Sequence, residues 1–115
     1  MSPAHSAPAL NEQLVIVTGG ARGLGAHITR AFLREGARVV INYLNSADAA
    51  GALAATAPGR TLAIQADVRD AQAVQAMVAQ AQSHFGMPVT TVVNNALPAF
   101  QFNGDARPHL SLIHI

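Results

Sequence analysis

The residues best placed to do chemistry begin at Val17-Thr18-Gly19-Gly20-Ala21-Arg22-Gly23-Leu24-Gly25, directly after the apolar run Leu14–Val17. A backbone stripped of side chains can close around a phosphate, and a helix start behind it offers unpaired N–H groups and a favourable dipole. The chain has no lysine, so the loop is not a P-loop, which ends in Gly-Lys-Ser/Thr. It also departs from G-x-G-x-x-G/A, since Gly23-Leu24-Gly25-Ala26-His27 is followed by Ile28. Two more polar groups sit at the ends of apolar runs: Asp67 in Ala66-Asp67-Val68, and the pair Asn94-Asn95 in Thr90–Ala96. Adjacent asparagines closing an apolar run are hard to assign to packing, because buried amides need partners.

These groups need a scaffold to hold them, and the sequence predicts one by alternation. Strands are predicted at Leu14–Val17, Arg38–Asn42, Thr61–Gln65 and Thr90–Ala96, each a short apolar run. Between the first two lies a helix with Leu24, Ile28, Ala31 and Phe32 on one face and Gly36 at its end. Ser46 is a candidate N-cap for an alanine-rich helix stopped at Pro58-Gly59. Asp70 is a candidate cap for a third helix, with Val74, Met77, Val78, Ala81 and Phe85 on its inner face and Gly86 closing it. The order βαβαβαβ, with strands apolar on both faces, predicts an α/β fold. Its sheet is parallel and doubly wound, Rossmann-like, with right-handed crossovers and the first four strands and three helices present.

Composition narrows the function classes. With 115 residues, half of them apolar, the chain forms one domain with a real core. A net charge of +1, with 11% charged residues, speaks against a nucleic-acid partner. The absence of cysteine removes disulfides, thiolate nucleophiles and cysteine metal sites, and the five histidines show no paired ligand spacing. No metal site is expected. Residues 1–13 read as a flexible Pro/Ala tail with neither a basic nor a continuous apolar signal region. No apolar run approaches the ~20 residues that span a bilayer. The expectation is a soluble, cytoplasmic protein without a membrane partner.

Thr18-Gly19-x-x-x-Gly23-x-Gly25, Asp67 and Asn94-Asn95-Ala96, in this order at the ends of strands one, three and four, resemble the short-chain dehydrogenase/reductase family. The resemblance covers roughly Leu14 to Ala96 and implies a domain over 14–110 that binds a nicotinamide dinucleotide. It implies cofactor contacts from Thr18, Gly19, Arg22, Gly23, Leu24, Gly25, Asn42, Asp67, Val68, Asn94 and Ala96, with Asp67 on the adenine. Leu97 stands where the family has a glycine. Asn42 occupies the strand-two position where an acidic side chain would bond the ribose 2′-hydroxyl, and no carboxylate follows before Asp48. Together with Arg22 inside the loop, this favours NADP(H) over NAD(H).

The family's catalytic Tyr-x-x-x-Lys pair is not in this sequence. The single tyrosine, Tyr43, is followed by Leu44-Asn45-Ser46-Ala47, so no catalytic residue is assigned. The expectation is the cofactor-binding portion of a longer oxidoreductase moving hydride between nicotinamide and a carbonyl or alcohol carbon. The 3-oxoacyl-[acyl-carrier-protein] reductases are the nearest-sounding group. Small carbonyl or acyl-thioester substrates and a homo-oligomeric full-length form go with that resemblance. The alternative is a non-catalytic dinucleotide-binding or regulatory module. Residues 111–115 show no helix pattern where a fourth helix would start and are set aside as a tail foreign to the domain. Strand four is accordingly expected to leave one edge open.

Overall fold

The computed structural model describes residues 9–95 and 111–114. Strands β1 (Leu14–Val17), β2 (Arg38–Tyr43), β3 (Thr61–Gln65) and β4 (Thr91–Asn94) alternate with helices α1 (Gly23–Arg34), α2 (Ala47–Ala54) and α3 (Ala71–Phe85). A fifth strand, β5 (Ser111–His114), follows. All pairings are parallel and the sheet order is β3-β2-β1-β4-β5. The doubly wound class therefore holds.

Period-two alternation explains why both faces are covered. In β1, Val15 and Val17 point to one face, where Ala26, Leu33, Ala50 and Leu53 of α1 and α2 cover them. Leu14 and Ile16 point to the other, where Val74, Met77 and Ala81 of α3 pack. The chain winds outward from β1 to β3 over one face. It then crosses the other face through α3 and places β4 on the far side of β1. That reversal puts the carboxyl ends of β1 and β4 side by side, the crevice in which open α/β sheets bind ligands.

Helix boundaries follow local chemistry. Asp70 caps α3, its carboxylate accepting from the N–H groups of Gln72 (3.0 Å) and Ala73 (3.4 Å), and Gly86 ends the helix at φ 67°. Ser46 does hold the N-cap position of α2, without a side-chain cap bond, and the helix stops at Ala54, before Pro58-Gly59.

Three expectations need correction. The buried face of α1 is Gly25, Ala26, Thr29 and Leu33, while Leu24 is 53% exposed and Ile28 and Phe32 are half-buried. The period holds and the phase is shifted by one, and on the buried face the Thr29 hydroxyl donates inward to the Gly20 carbonyl (3.1 Å). Within the expected tail, Leu10–Glu12 form a 3-10 turn and Gln13 is tied to the sheet. Its carbonyl accepts from Arg38 N–H (3.0 Å), and its amide oxygen accepts from the Thr91 hydroxyl (2.8 Å). Finally, Ser111–His114 pairs with β4 in register, Thr91 opposite Ser111 and Asn94 opposite His114. Strand four is thus paired on both sides, and among the described residues the outermost strand on that side of the sheet is β5.

Candidate functional site: a glycine loop at the sheet switch point

The loop after β1 is held by two neighbouring strands. Thr18 is buried at the end of β1, and its N–H donates to the Val93 carbonyl (3.0 Å). Its hydroxyl oxygen accepts from Asn95 N–H (2.9 Å), and the hydroxyl proton has the Val93 carbonyl (3.3 Å) and Asn94 Oδ1 (3.4 Å) as acceptors. From the other side Asn42 reaches over. Its Oδ1 accepts from Gly19 N–H (3.3 Å) and its carbonyl from Gly20 N–H (3.0 Å). The Nδ2 of Asn42 donates to the carbonyls of Ala66 (3.1 Å) and Ile64 (3.5 Å). Asn95 Nδ2 donates to the Gly19 carbonyl (3.2 Å). The loop is therefore preorganised by bonds to β2 and to the end of β4, with Asn42 itself anchored to the end of β3.

The glycines do different work. Gly19 and Gly23 have φ of 61° and 54°, a region costly for any residue bearing a Cβ. A Cβ built on Gly23 would meet nothing within 4 Å, so this position faces open space. A Cβ on Gly25 would overlap the Gly19 carbonyl oxygen and lie 2.8 Å from Asn95 Nδ2. Gly25 thus lets helix and loop close on each other, whereas Gly23 leaves the mouth clear.

The start of α1 leaves backbone amides without helical acceptors. The first i→i−4 bond of α1 runs from Ala26 N–H to the Arg22 carbonyl (3.1 Å). The N–H groups of Gly23, Leu24 and Gly25 meet no backbone acceptor among the described residues, as expected for a first turn. Arg22 is the N-cap residue and makes no side-chain cap, and the first turn holds no acidic residue. An anion seated here would take these donors and the positive end of the helix dipole.

Beside the loop lies a cavity of about 320 Å³, lined by Gly19, Asn42, Leu44, Ala66, Asp67, Val68 and Arg69. Asp67 and Arg69 form a folded-back pair on its wall. Arg69 N–H and Nε donate to Asp67 Oδ1 (both 3.0 Å), and Nη2 donates to Oδ2 (2.7 Å). The side-chain bond from Arg69, then the backbone N–H of Arg69, hold the Asp67 carboxyl down at about 2, against some loss of solvation. Asp67 is thus a fixed acceptor facing the cavity.

The sequence-predicted residues separate into three groups. Gly19, Asn42, Asp67 and Val68 line the cavity, while Arg22, Gly23 and exposed Leu24 form the mouth of the loop. Thr18, Gly25 and Asn94 are buried beneath it and position it, Asn94 being 2% exposed. Ala96 and Leu97 lie outside the described residues. Asn42 differs from its expected role: 2% exposed, it spends its amide on Gly19, Ile64 and Ala66, and β2 runs on to Tyr43. Sequence reasoning passed over Leu44, Ala66, Arg69 and Asn95. For Arg69 a signal existed in the Asp-x-Arg spacing, which favours a turn closed by the aspartate. Asn95 was visible as half of a pair whose partition between buried and loop-facing only the fold decides.

A parallel doubly wound sheet with an uncapped glycine loop at its switch point defines a Rossmann-like α/β domain. Residues 13–103 match the family model for short chain dehydrogenase. This chain belongs to the short-chain dehydrogenase/reductase family. It is 36% identical over 102 residues to a versicolorin reductase of Emericella nidulans, covering 86% of this chain and 39% of that one. A short-chain dehydrogenase/reductase structure from Serratia marcescens superposes with a TM-score of 0.69 at 47% identity, covering 76% of this chain and 36% of that one. A 3-ketoacyl-(acyl-carrier-protein) reductase of Brucella melitensis, solved in complex with NADH, does so at 0.69 and 34%, covering 76% and 35%. The chain thus spans well under half the length of these relatives. No helix among the described residues is long and apolar enough to cross a membrane.

Proposed function

We propose that this chain is the cofactor-holding part of an NADP(H)-dependent oxidoreductase that moves hydride between nicotinamide and a carbonyl or alcohol carbon. The observation that carries this reading is the row of N–H groups at Gly23, Leu24 and Gly25 that meet no acceptor among the described residues, beside an open position at Gly23 and a cavity walled by Asp67. The fit is chemical: orphan donors at a helix start suit a pyrophosphate, and a fixed carboxylate suits the amino group of an adenine.

When bound, such a dinucleotide supplies the hydride. The residues of this chain bind and orient it. The amides of Gly23–Gly25 would take the pyrophosphate, Asp67 would accept from the adenine, and Val68 and Leu44 would give the ring apolar contact. Preference for the phosphorylated cofactor rests on Arg22, exposed at the loop mouth, and on the lack of a carboxylate between Asn42 and Asp48. Asn42, with its amide committed inward, supports this only by not repelling a 2′-phosphate. The cytoplasm as the compartment, carbonyl or acyl-thioester substrates, a 3-oxoacyl-[acyl-carrier-protein] reductase role and a homo-oligomeric full-length form belong to the same proposal. A second reading, NAD(H), is favoured by the NADH bound in the Brucella relative.

Titration calorimetry with NADPH and NADH distinguishes these. The chain binds NADPH more tightly, Gly23→Val weakens binding of both by tenfold or more, and Arg22→Ala weakens NADPH more than NADH. Unchanged NADPH binding in Gly23→Val would remove the phosphate from this loop. Equal losses in Arg22→Ala would remove the basis for NADP(H).

A further inference from the structure

At the opposite end of the strands from the glycine loop, Arg30 and Arg34 on α1 and Arg60 before β3 surround a cavity of about 310 Å³, with Leu33, Thr56 and Ala57 completing its wall. We propose that this cavity is an anion site for a small polyanion of the phosphate class, separate from the dinucleotide loop.

Three features support the assignment. First, charge gathers here without compensation. The chain has only seven basic residues and a net charge of +1, yet three of them line one cavity. The ion pair found among the described residues, Asp67–Arg69, lies elsewhere, so no carboxylate there comes within pairing distance of these guanidiniums. Glu35, next in sequence to Arg34, does not line the cavity. Arg30 and Arg34 stand four apart on one helix, a like-charge spacing that destabilises a helix unless an anion bridges it.

Second, Arg60 is half-buried and already oriented. Its Nη1 donates to the carbonyls of Leu33 (3.0 Å) and Ala37 (3.1 Å). The first bond answers the Leu33 carbonyl in the last turn of α1, at the negative end of the helix dipole that would otherwise oppose an anion, and the second answers Ala37 just past the helix. They leave Nε and Nη2 with no partner among the described residues. Third, the floor is apolar, with Leu33 and Ala57 buried. A guanidinium facing an anion over an apolar floor is less screened than one on an open surface. Arginine's planar fork matches phosphate oxygens two at a time, and three forks suit a ligand carrying two or more charges.

The test is a nuclear magnetic resonance titration of the whole chain, following the arginine Nε–Hε signals and the backbone amides. The probes are inorganic pyrophosphate, the phosphomonoester glycerol 3-phosphate, and sodium chloride at matched ionic strength. Saturable shifts at Arg30, Arg34 and Arg60 with a phosphate probe, absent with chloride, are expected. Stronger binding of pyrophosphate would point to a free polyphosphate, and stronger binding of the ester to an organic phosphate. The surface double variant Arg30→Gln/Arg34→Gln keeps Arg60's carbonyl bonds and should lose affinity roughly tenfold per guanidinium removed. Shifts that never saturate, that chloride reproduces, or that fall only on Gly23–Gly25 would overturn the assignment, as would unchanged affinity in the double variant.

Discussion

Replacing Gly25 by alanine tests whether that glycine serves the ligand or the fold. The added methyl would overlap the Gly19 carbonyl oxygen and crowd Asn95 Nδ2, and neither can withdraw cheaply. Gly19 is fixed by Asn42 Oδ1, and Asn95 Nδ2 is itself bonded to the Gly19 carbonyl. Overpacking of this kind costs about 3 kcal/mol, at the upper end of its usual range, because the obstacle is backbone. Alanine's better helix propensity returns at most ~1 kcal/mol. The net loss of about 2 kcal/mol corresponds to a Tm drop of roughly 8–16 °C for a domain of this size. Thermal unfolding followed by circular dichroism, without nucleotide, reads it directly. Gly23→Ala is the internal control: it faces open space and should lose only the ~1–2 kcal/mol of a side chain held at positive φ. If Gly25→Ala melted no lower than the parent, the division of labour between the two glycines would be wrong.

Further outcomes follow from the same structure. Asn42→Asp cannot donate to Ile64 and Ala66, and it would aim a buried carboxylate at their carbonyls. The Tm should fall by roughly 10 °C or more, with NADPH and NADH weakened alike; a selective loss of NADPH would return Asn42 to the role of discriminator. Asp70→Ala removes the α3 cap and should cost ~1 kcal/mol, a melting shift of about 4–8 °C; no shift would mean that the two bonds to Gln72 and Ala73 contribute nothing. Asp67 titrates from about 2 in the folded chain against an ordinary 3.8. A carboxyl lowered on folding stabilises above its ordinary value and loses that contribution as pH falls through the folded one. Nuclear magnetic resonance titration of Arg69→Gln should move the Asp67 midpoint up toward 3.8; a midpoint that stays near 2 would assign the shift to something other than Arg69.

Much of the molecule was legible from pattern alone. Short apolar runs alternating with 3.6-period stretches point to strands buried on both faces between helices, which a parallel, doubly wound sheet with right-handed crossovers satisfies. Gly36 and Gly86, both at positive φ, and Asp70 mark helix ends by local sterics and hydrogen bonding, which need no distant partner. The loop Thr18–Gly25 and Asp67 were likewise visible, because strand ends that carry glycine or a lone polar residue depart from packing logic. What each side chain does there was decided by tertiary structure. Thr29 rather than Leu24 is buried on α1, where its hydroxyl reaches the Gly20 carbonyl of the loop, a partner that the helix pattern alone does not reveal. Asn42 became a clamp because β3 runs beside β2 and brings the Ile64 and Ala66 carbonyls to it across 22 and 24 residues of sequence. Ser111–His114 became a strand because β4 offered it a free ladder, a choice no local propensity encodes. Periodicity and punctuation are properties of neighbours in sequence; the roles of Asn42, Gly25 and Arg60 are set by groups far along the chain that only folding brings within bonding distance.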